Sequence, residues 1–450
     1  MTTATHKAKS GFSYGTIWRI AYPIMFGNLA QTLITLTDTA FLGRLSEVAL
    51  GASAIAGIYY YVFSTLAWGF AIGMQVIVAR RFGEGSYSRI GTVFEHGLAF
   101  VGVLGAVLFS LLMYLSPVIL DVLIDSPNVY REACVYMTYR PWGIIFVCFN
   151  FLYRSLYIGL SNTKIISYTT ALMAVVNIVG DYGLIFGNLG MPQMGVGGAA
   201  IASVAAEISA TVFFTVFTLT KIPFRKYGLF RFEKLRLSMF GDIFGVAMPT
   251  MLQKLLSFGT WLVFFAMVER LGERALAISM TVRSVYMFIT IPVFAFGAAA
   301  GSLTSRLIGE GRYKEVRRMT VKILRICFAV VLPMSALCFV IPHWLLGIYT
   351  DNTDLIAESV SSLHVVAMCA FALGFGQIYF DTISGTGNTS HALMLETCVL
   401  MCYAGYVMFS AQVLGGPVSI VWISEGVYGA VLGLLSVIYM RSGRWQKKRI

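Results

Sequence analysis

Charged residues are scarce in this chain of 450 residues, in which Asp, Glu, Lys and Arg together make up 12%. Ordinary soluble domains carry roughly 25% of these residues, and the hydrophobic share here is 58%. The shortage excludes a soluble globular fold, because a surface facing water needs more polar side chains. We therefore predict a polytopic membrane protein, with the lipid bilayer as its surroundings.

Paired cysteine and histidine motifs are also missing. The seven Cys fall mostly inside apolar stretches without metal-type spacing, and the five His are scattered. Gly83-Glu84-Gly85 and its copy at 309–311 are rich in glycine, but no strand precedes them and no Gly-Lys-Ser/Thr follows. A phosphate-binding loop needs both features. The sequence therefore predicts no cofactor, no ATP site and no enzymatic centre, since a convergent nucleophile and base are also not visible.

The chain is a tandem duplication. Aligned with itself at a shift of 226 residues, it places uncommon residues on identical partners without a gap. Ala21 and Pro23 fall on Ala247 and Pro249, 83–85 on 309–311, Asp125 on Asp351, and Gly159 with Asn162-Thr163 on Gly385 with Asn388-Thr389.

Each copy contains six apolar stretches longer than the roughly 20 residues that a membrane-spanning helix needs. The twelve predicted spans are 14–40, 49–79, 89–115, 128–158, 164–187, 194–220, 241–268, 273–304, 316–342, 354–384, 390–411 and 416–440. We predict an all-α fold of two six-helix lobes related by a pseudo-two-fold axis along the membrane normal. The predicted boundaries are 1–220 for the first lobe, 221–240 for a cytoplasmic linker and 241–450 for the second lobe.

Basic residues set the orientation. Most of the 33 Lys and Arg lie at the termini or after even-numbered spans, and the opposite loops hold five: Arg44, Arg131, Arg140, Arg270 and Arg274. The positive-inside rule then places both termini in the cytoplasm. We assign the net charge of +12 to topology and anionic lipid rather than to nucleic acid. No cleaved signal peptide is expected, and the cytoplasmic membrane is the predicted location.

Differences between the two copies single out a polar set in the first copy. Asp38 aligns with Phe264, Asn177 with Tyr403, Asp181 with Val407, and Ser203 with Gly429. An ionisable side chain inside a membrane span is costly and is functional by default. Asn177 and Asp181 are four residues apart and share a helix face. Their oxygens, with Asp38 and the Ser203 hydroxyl, predict either a Na⁺ site or an acid pair that shares a proton. For Asp38, helix capping at the outer interface is the alternative.

Two basic residues also lie at membrane depth. Lys254 in span 7, next to Gln253, has three alternatives: pairing with Glu207 of span 6, contact with an anionic or zwitterionic substrate, or snorkelling. Arg283 in span 8 presents the same choice. These four residues are candidate cavity or substrate contacts.

Motifs around these residues resemble the multidrug and toxic compound extrusion (MATE) family. The first span contains Ala-Tyr-Pro at 21–23, Asn28, Gln31, Asp38-Thr39 and Gly43-Arg44-Leu45, and later motifs are 69–85, 159–163, 177–181 and 197–200. The resemblance covers about residues 14 to 440. It implies a monomeric antiporter that exports small organic compounds by alternating access, driven by H⁺ or Na⁺. It also implies a cation site at Asp38, Asn177 and Asp181, with a helix bend at Pro23.

The second copy departs from the NorM branch of that family. Members resembling NorM carry a glutamate on span 7 and an aspartate on span 10, whereas span 7 here has Gln253 and Lys254, and span 10 offers only Asp381 near its inner end. The sequence looks closer to the DinF-like branch. A flippase for lipid-linked precursors is the alternative function, because Lys254 and Arg283 would suit a phosphate head group. A channel is disfavoured, since the acids cluster on one side of one lobe.

Overall fold

The computed structural model describes residues 12–232, 234–412 and 417–447. Within these ranges the chain is mostly helical and contains no strand. The helices are α1 (Tyr14–Leu45), α2 (Glu47–Gly83), α3 (Tyr87–Leu123), α4 (Pro127–Tyr139), α5 (Trp142–Gly159), α6 (Lys164–Phe186), α7 (Val196–Lys221), α8 (Phe224–Tyr227), α9 (Leu237–Glu269), α10 (Glu273–Gly309), α11 (Val316–Val340), α12 (Pro342–Gly347), α13 (Thr353–Gly385), α14 (Thr389–Gln412) and α15 (Val418–Arg441).

The predicted spans correspond to these helices, and most ends agree within a few residues. Eleven helical stretches in the described ranges are long and apolar enough to cross a membrane. The exception among the twelve predicted spans is α1, which has 32 residues but carries Arg19, Asn28, Gln31 and Asp38 in its apolar sequence. The all-α fold of two six-helix lobes is thus confirmed, with its most polar span at the start.

Span 4 is not one helix. It divides into α4 and α5 at Arg140 and Pro141, where Pro141 occupies the N-cap position of α5. A proline has no N–H to donate and is tolerated where a helix begins. The break turns Arg140 into the protein, whereas the sequence pattern assigned it to an outer loop; that assignment is wrong.

The two lobes repeat one packing plan. In the first lobe α6 packs on α1 and α7, and α2 on α5; in the second, α14 packs on α9 and α15, and α10 on α13. Between lobes, α2 lies very close to α9. A Cβ atom added to Gly73 would overlap the backbone of Ala247, and one added to Gly69 would overlap that of Met251. The equivalent positions in α10 are alanines, Ala295 and Ala299. Two glycines of α2 therefore permit the close contact between α2 and α9.

A second close seam joins the C-terminal ends of α2 and α10. Gly83 lies against the carbonyl oxygen of Arg306, and Gly309 lies against that of Arg80. The Arg80 guanidinium also donates to the carbonyl oxygen of Thr386 at 2.8 Å. These contacts close the lobes together at the end that is predicted to be cytoplasmic.

The segment between the lobes is held against α3. The buried Glu95 carboxylate accepts hydrogen bonds from the backbone N–H groups of Arg231 and Phe232, at 2.5 and 2.9 Å. His96 Nε2 accepts from the N–H of Arg236 at 2.9 Å, immediately before α9 begins. The linker is thus fixed by side chains of the first lobe rather than left free.

Candidate functional site

The predicted polar set lies on α1 and α6. Asn177 and Asp181 are fully buried, one helical turn apart, and Asp38 of α1 is half-buried beside them. The Asp38 carboxylate is an electrostatic neighbour of the side chains of Asp181 and Asn177. The structure thus brings together three of the four residues that the comparison of the two copies singled out.

Hydrogen bonds are missing from this cluster. Among the described residues, no partner is found for either side-chain atom of Asn177, for either oxygen of Asp181, or for the buried Oδ1 of Asp38. Each unsatisfied buried polar group costs about 1–3 kcal/mol, and an uncompensated charge costs more. Two carboxylates and an amide oxygen that face one another therefore form a set of acceptors that a shared proton or a hard cation would satisfy.

Ser203 is half-buried on α7, and no hydrogen bond joins it to Asp38 or Asp181 in the described chain. Its neighbour Ala202 is the residue that packs closely on α6, against Gly180. Ser203 therefore stays a prediction as an ion ligand, whereas Asn177 and Asp181 lie where the pattern placed them.

Glu207 belongs to an ion pair with Arg140. Nη1 and Nη2 of Arg140 contact the two carboxylate oxygens at 2.9 and 2.6 Å, and both side chains are largely buried. Of the three alternatives for Lys254, pairing with Glu207 is therefore wrong. Pairing depends on which helix faces meet, and similar depth in the membrane does not determine this.

The surroundings of the pair fix its geometry. Gly143 lies so close that an added Cβ would overlap Glu207 Oε2 and Arg140 Nη1. The Arg140 guanidinium also stacks on the Tyr60 ring, 3.9 Å from its centroid. In the second copy the positions of Arg140, Gly143 and Glu207 are Val366, Cys369 and Gly433. The ion pair, like the acid pair near it, is confined to the first lobe.

Pro23 interrupts the backbone hydrogen bonds of α1, and α6 compensates for it. Proline cannot donate to the carbonyl four residues earlier, which is that of Arg19. The Thr163 hydroxyl donates to the carbonyl oxygens of Arg19 and Ile20 at 3.3 and 2.9 Å, and Ser167 donates to that of Pro23 at 3.0 Å. The helix that carries Asn177 and Asp181 therefore also holds the backbone of α1 at its proline.

Lys254 lies beside two carboxylates of its own lobe. The half-buried Asp381 and the buried Glu396 are its electrostatic neighbours, although neither is within ion-pair distance in the described chain. Its ammonium instead lies 5.0 Å from the centroid of the Trp68 ring on α2, across the seam between lobes.

Glu396 retains a free acceptor. Its Oε1 accepts from Ser257 and Tyr428 at 2.5 and 3.1 Å, whereas the buried Oε2 has no partner among the described residues. Gln253 is buried next to it, also with a free side-chain oxygen. The position of Glu396 beside Lys254 was not evident from the sequence, because they are far apart in the chain and the matching residue in the first copy, Thr170, carries no charge.

Arg283 lies on α10 among aromatic rings. Its guanidinium carbon is 4.8 Å from the ring centroid of Trp261 and 5.5 Å from that of Phe265. By contrast, Glu425 accepts hydrogen bonds from Tyr286 and Tyr403, the latter at 3.0 Å. Tyr403 occupies the position of Asn177, so the second lobe fills this position with a tyrosine bonded to a buried acid.

A family model described as MatE matches the chain twice, over residues 23–183 and 249–407. The chain belongs to this family, the MATE transporters. The two matches start at Pro23 and Pro249, which are 226 residues apart. The duplication found by self-alignment is thus a duplication of the MATE unit itself.

Relatives with this architecture span nearly the whole chain. The chain is 24% identical to "Probable multidrug resistance protein NorM" of Thermotoga maritima, over 96% of its own length and 93% of that protein. It is 23% identical to the protein of the same name from Synechocystis, over 95% and 93% of the two chains. A structure described as the outward-facing conformation of a multidrug resistance MATE family transporter superposes with a TM-score of 0.89, at 19% identity and over 97% of both chains.

These comparisons confirm a membrane transporter of the MATE family and do not favour the lipid flippase. They do not confirm the DinF-like branch, because the relatives above carry the NorM name.

Proposed function

We propose that this MATE protein is a secondary antiporter that exports small organic compounds across the cytoplasmic membrane in exchange for H⁺ or Na⁺. One observation carries the proposal: Asn177 and Asp181 are fully buried and lack hydrogen-bond partners in the described chain, with the Asp38 carboxylate beside them. Binding of a proton or cation supplies the missing donor or charge. The energy source is therefore an ion gradient and not ATP.

Coupling requires that ion and substrate favour different conformations. We place the moving part in α1, at Pro23. Helix α6 bonds to the α1 backbone through Thr163 and Ser167 and carries Asn177 and Asp181 further along. An ion that draws Asp38 toward Asp181 changes how α1 packs on α6, and the bend at Pro23 absorbs the change. Ion binding then lowers the affinity for substrate and releases it outside.

Three further statements belong to this proposal. Both termini face the cytoplasm, because most of the basic residues lie on that side. The protein works as a monomer, since each chain contains both lobes. Coupling is centred in the first lobe, as in the DinF-like branch, because α9 carries Gln253 and Lys254 where members resembling NorM carry an acid.

The test is ethidium efflux from proteoliposomes driven separately by an imposed pH gradient and an imposed Na⁺ gradient. Wild type, Asp38→Asn and Asp181→Asn are compared with Asp242→Asn, a matched change at an exposed acid near the start of α9. We expect one gradient to drive efflux, and both first-lobe variants to lose it while Asp242→Asn retains it. If Asp38→Asn and Asp181→Asn both export ethidium at the wild-type rate, the two acids are not the coupling site. A wild type that responds to neither gradient would remove the antiporter proposal.

A further inference from the structure

Arg283 is a cation at membrane depth without an anionic partner. It is half-buried, and among the described residues no carboxylate lies within ion-pair distance of it. In the described chain, its guanidinium contacts the two rings and, through Nη1, the thioether sulfur of Met280 at 3.5 Å. A charge at this depth is expected to have a counter-ion. The described residues supply aromatic faces and a sulfur atom instead.

Other arginines on comparable helices show what a satisfied guanidinium looks like. Arg140 forms a two-bond ion pair with Glu207, and Arg154 donates to the Asn28 side chain at 2.5 Å. On the same helix as Arg283, Arg274 contacts both oxygens of Glu358, at 2.8 and 3.0 Å. The lack of a partner is therefore a property of the Arg283 site and not of α10.

The rings next to Arg283 continue to the seam between the lobes. Trp261 lies 6.4 Å from Phe258 on α9, and Phe258 lies 5.2 Å from Tyr61 on α2, centroid to centroid. We call Arg283, Trp261, Phe258 and Tyr61 the aromatic track. Further along the same α2–α9 seam, Lys254 stacks on Trp68. Lys254 and Trp261 are separated by about 10 Å along α9, at roughly 1.5 Å per residue.

The two cations of this seam are not equivalent. Lys254 has the carboxyl groups of Asp381 and Glu396 as neighbours, whereas no carboxylate of the described chain lies within ion-pair distance of Arg283. An anion is therefore held best at Arg283. The first copy has no counterpart, because Gly57, Thr35 and Thr39 occupy the positions of Arg283, Trp261 and Phe265.

We infer that the aromatic track binds an aromatic organic anion, whose carboxylate or sulfonate contacts Arg283 while its ring packs on Trp261 and Phe258. Guanidinium groups bind carboxylates with paired hydrogen bonds, and flat rings gain from offset stacking. This inference rests on the proposed export function and specifies one class of substrate for it.

The test is binding of 5-carboxyfluorescein to the purified full-length protein, measured by fluorescence anisotropy, with ethidium as the cationic counterpart. Arg283→Gln should weaken carboxyfluorescein binding by about tenfold or more, because it removes the positive charge that holds the carboxylate. Arg283→Lys keeps the charge and should restore most of the affinity. Arg274→Gln, a matched change at the paired arginine of the same helix, should leave it unaltered, and ethidium should bind equally to all four proteins.

Equal carboxyfluorescein affinity in Arg283→Gln and wild type would overturn the inference. A second arm measures phosphatidylglycerol adducts by native mass spectrometry. If Arg283→Gln loses these adducts while carboxyfluorescein binding is unchanged, the anion at Arg283 is a lipid head group and the inference is also overturned. If Arg283→Gln does not fold, Trp261→Leu takes its place, with the same loss expected for carboxyfluorescein alone. Gradient-driven ethidium efflux is also measured in the wild type. If the wild type exports ethidium, a failure of the carboxyfluorescein test counts against the binding site and not against the export function.

Discussion

At the scale of single residues, the hydroxyl of Thr163 compensates for the proline of α1. Its equivalent in the second copy, Thr389, is also fully buried, but its hydroxyl has no partner in the described chain. The two equivalent threonines thus differ: Thr163 donates to the helix backbone near Pro23, whereas Thr389 makes no such bond in the described chain. The two copies share the motif but not this hydrogen bond.

Thr163→Val should lower the free energy of unfolding by about 1–3 kcal/mol, because the carbonyl oxygens of Arg19 and Ile20 lose their donor. Thr163→Ser keeps the donor and should be milder. Thr389→Val is the matched control and should be neutral or slightly stabilising, since it removes an unpaired buried hydroxyl. Thermal unfolding in detergent measures all three. Equal losses for Thr163→Val and Thr389→Val would contradict the compensating role.

Gly143 permits the Arg140–Glu207 pair to form. Gly143→Ala should destabilise the protein by about 1–3 kcal/mol, as overpacking of a close contact does. Gly405→Ala is the control, because no atom lies within 4 Å of its added Cβ and alanine favours a helix. The melting temperatures of both variants are measured in detergent. A melting temperature for Gly143→Ala as high as that of Gly405→Ala would show that the Arg140–Glu207 pair can shift without loss of stability.

At the scale of elements, the linker is an ordered segment because α3 supplies side-chain acceptors for its backbone. Two N–H groups of the linker share the Glu95 carboxylate, and a third donates to His96. The linker backbone is left-handed at Gly228, Phe230 and Phe232. Two of these three are not glycine, so the contacts with α3 must offset their strain.

Glu95→Ala should speed tryptic cleavage of the linker by about tenfold or more, since two charge-assisted hydrogen bonds are lost. The basic residues Arg225, Lys226, Arg231, Lys234 and Arg236 provide the cleavage sites. Glu95→Gln keeps an acceptor and should fall between wild type and Glu95→Ala, while the exposed Glu47→Ala serves as control. The expectation fails if Glu95→Ala is cut no faster than Glu47→Ala.

At the scale of the whole molecule, the seam at the C-terminal ends of α2 and α10 closes one side of the protein. Under the alternating access that we propose, this seam separates when the protein opens on this side. Since Gly309 lies against the Arg80 carbonyl oxygen, a larger side chain there is incompatible with the closed seam.

Gly309→Leu should shift the population toward the form that is open at this seam and lower the efflux rate. The shift is measured by maleimide labelling of Ser302→Cys, a fully buried position of α10, in a background without the native cysteines. Gly241→Leu is the control, because nothing lies within 4 Å of an added Cβ there. Labelling of Ser302→Cys at the same rate in both backgrounds would mean that the seam does not gate access.

The sequence by itself determined the membrane class, the duplication, most of the helix limits and the shared helix face of Asn177 and Asp181. Hydropathy and repeat spacing are properties of the chain order, and Asn177 and Asp181 share a face because four residues make about one helical turn.

Only the tertiary structure decided which charges meet. Arg140 pairs with Glu207, Lys254 lies near Asp381 and Glu396, and Arg283 stacks on rings without a carboxylate. These contacts join different helices, and they depend on the rotation of each helix about its axis and on where it crosses its neighbours. The sequence predicts how deep a residue lies in the membrane, but it determines neither the rotation of a helix nor the point where it crosses its neighbour.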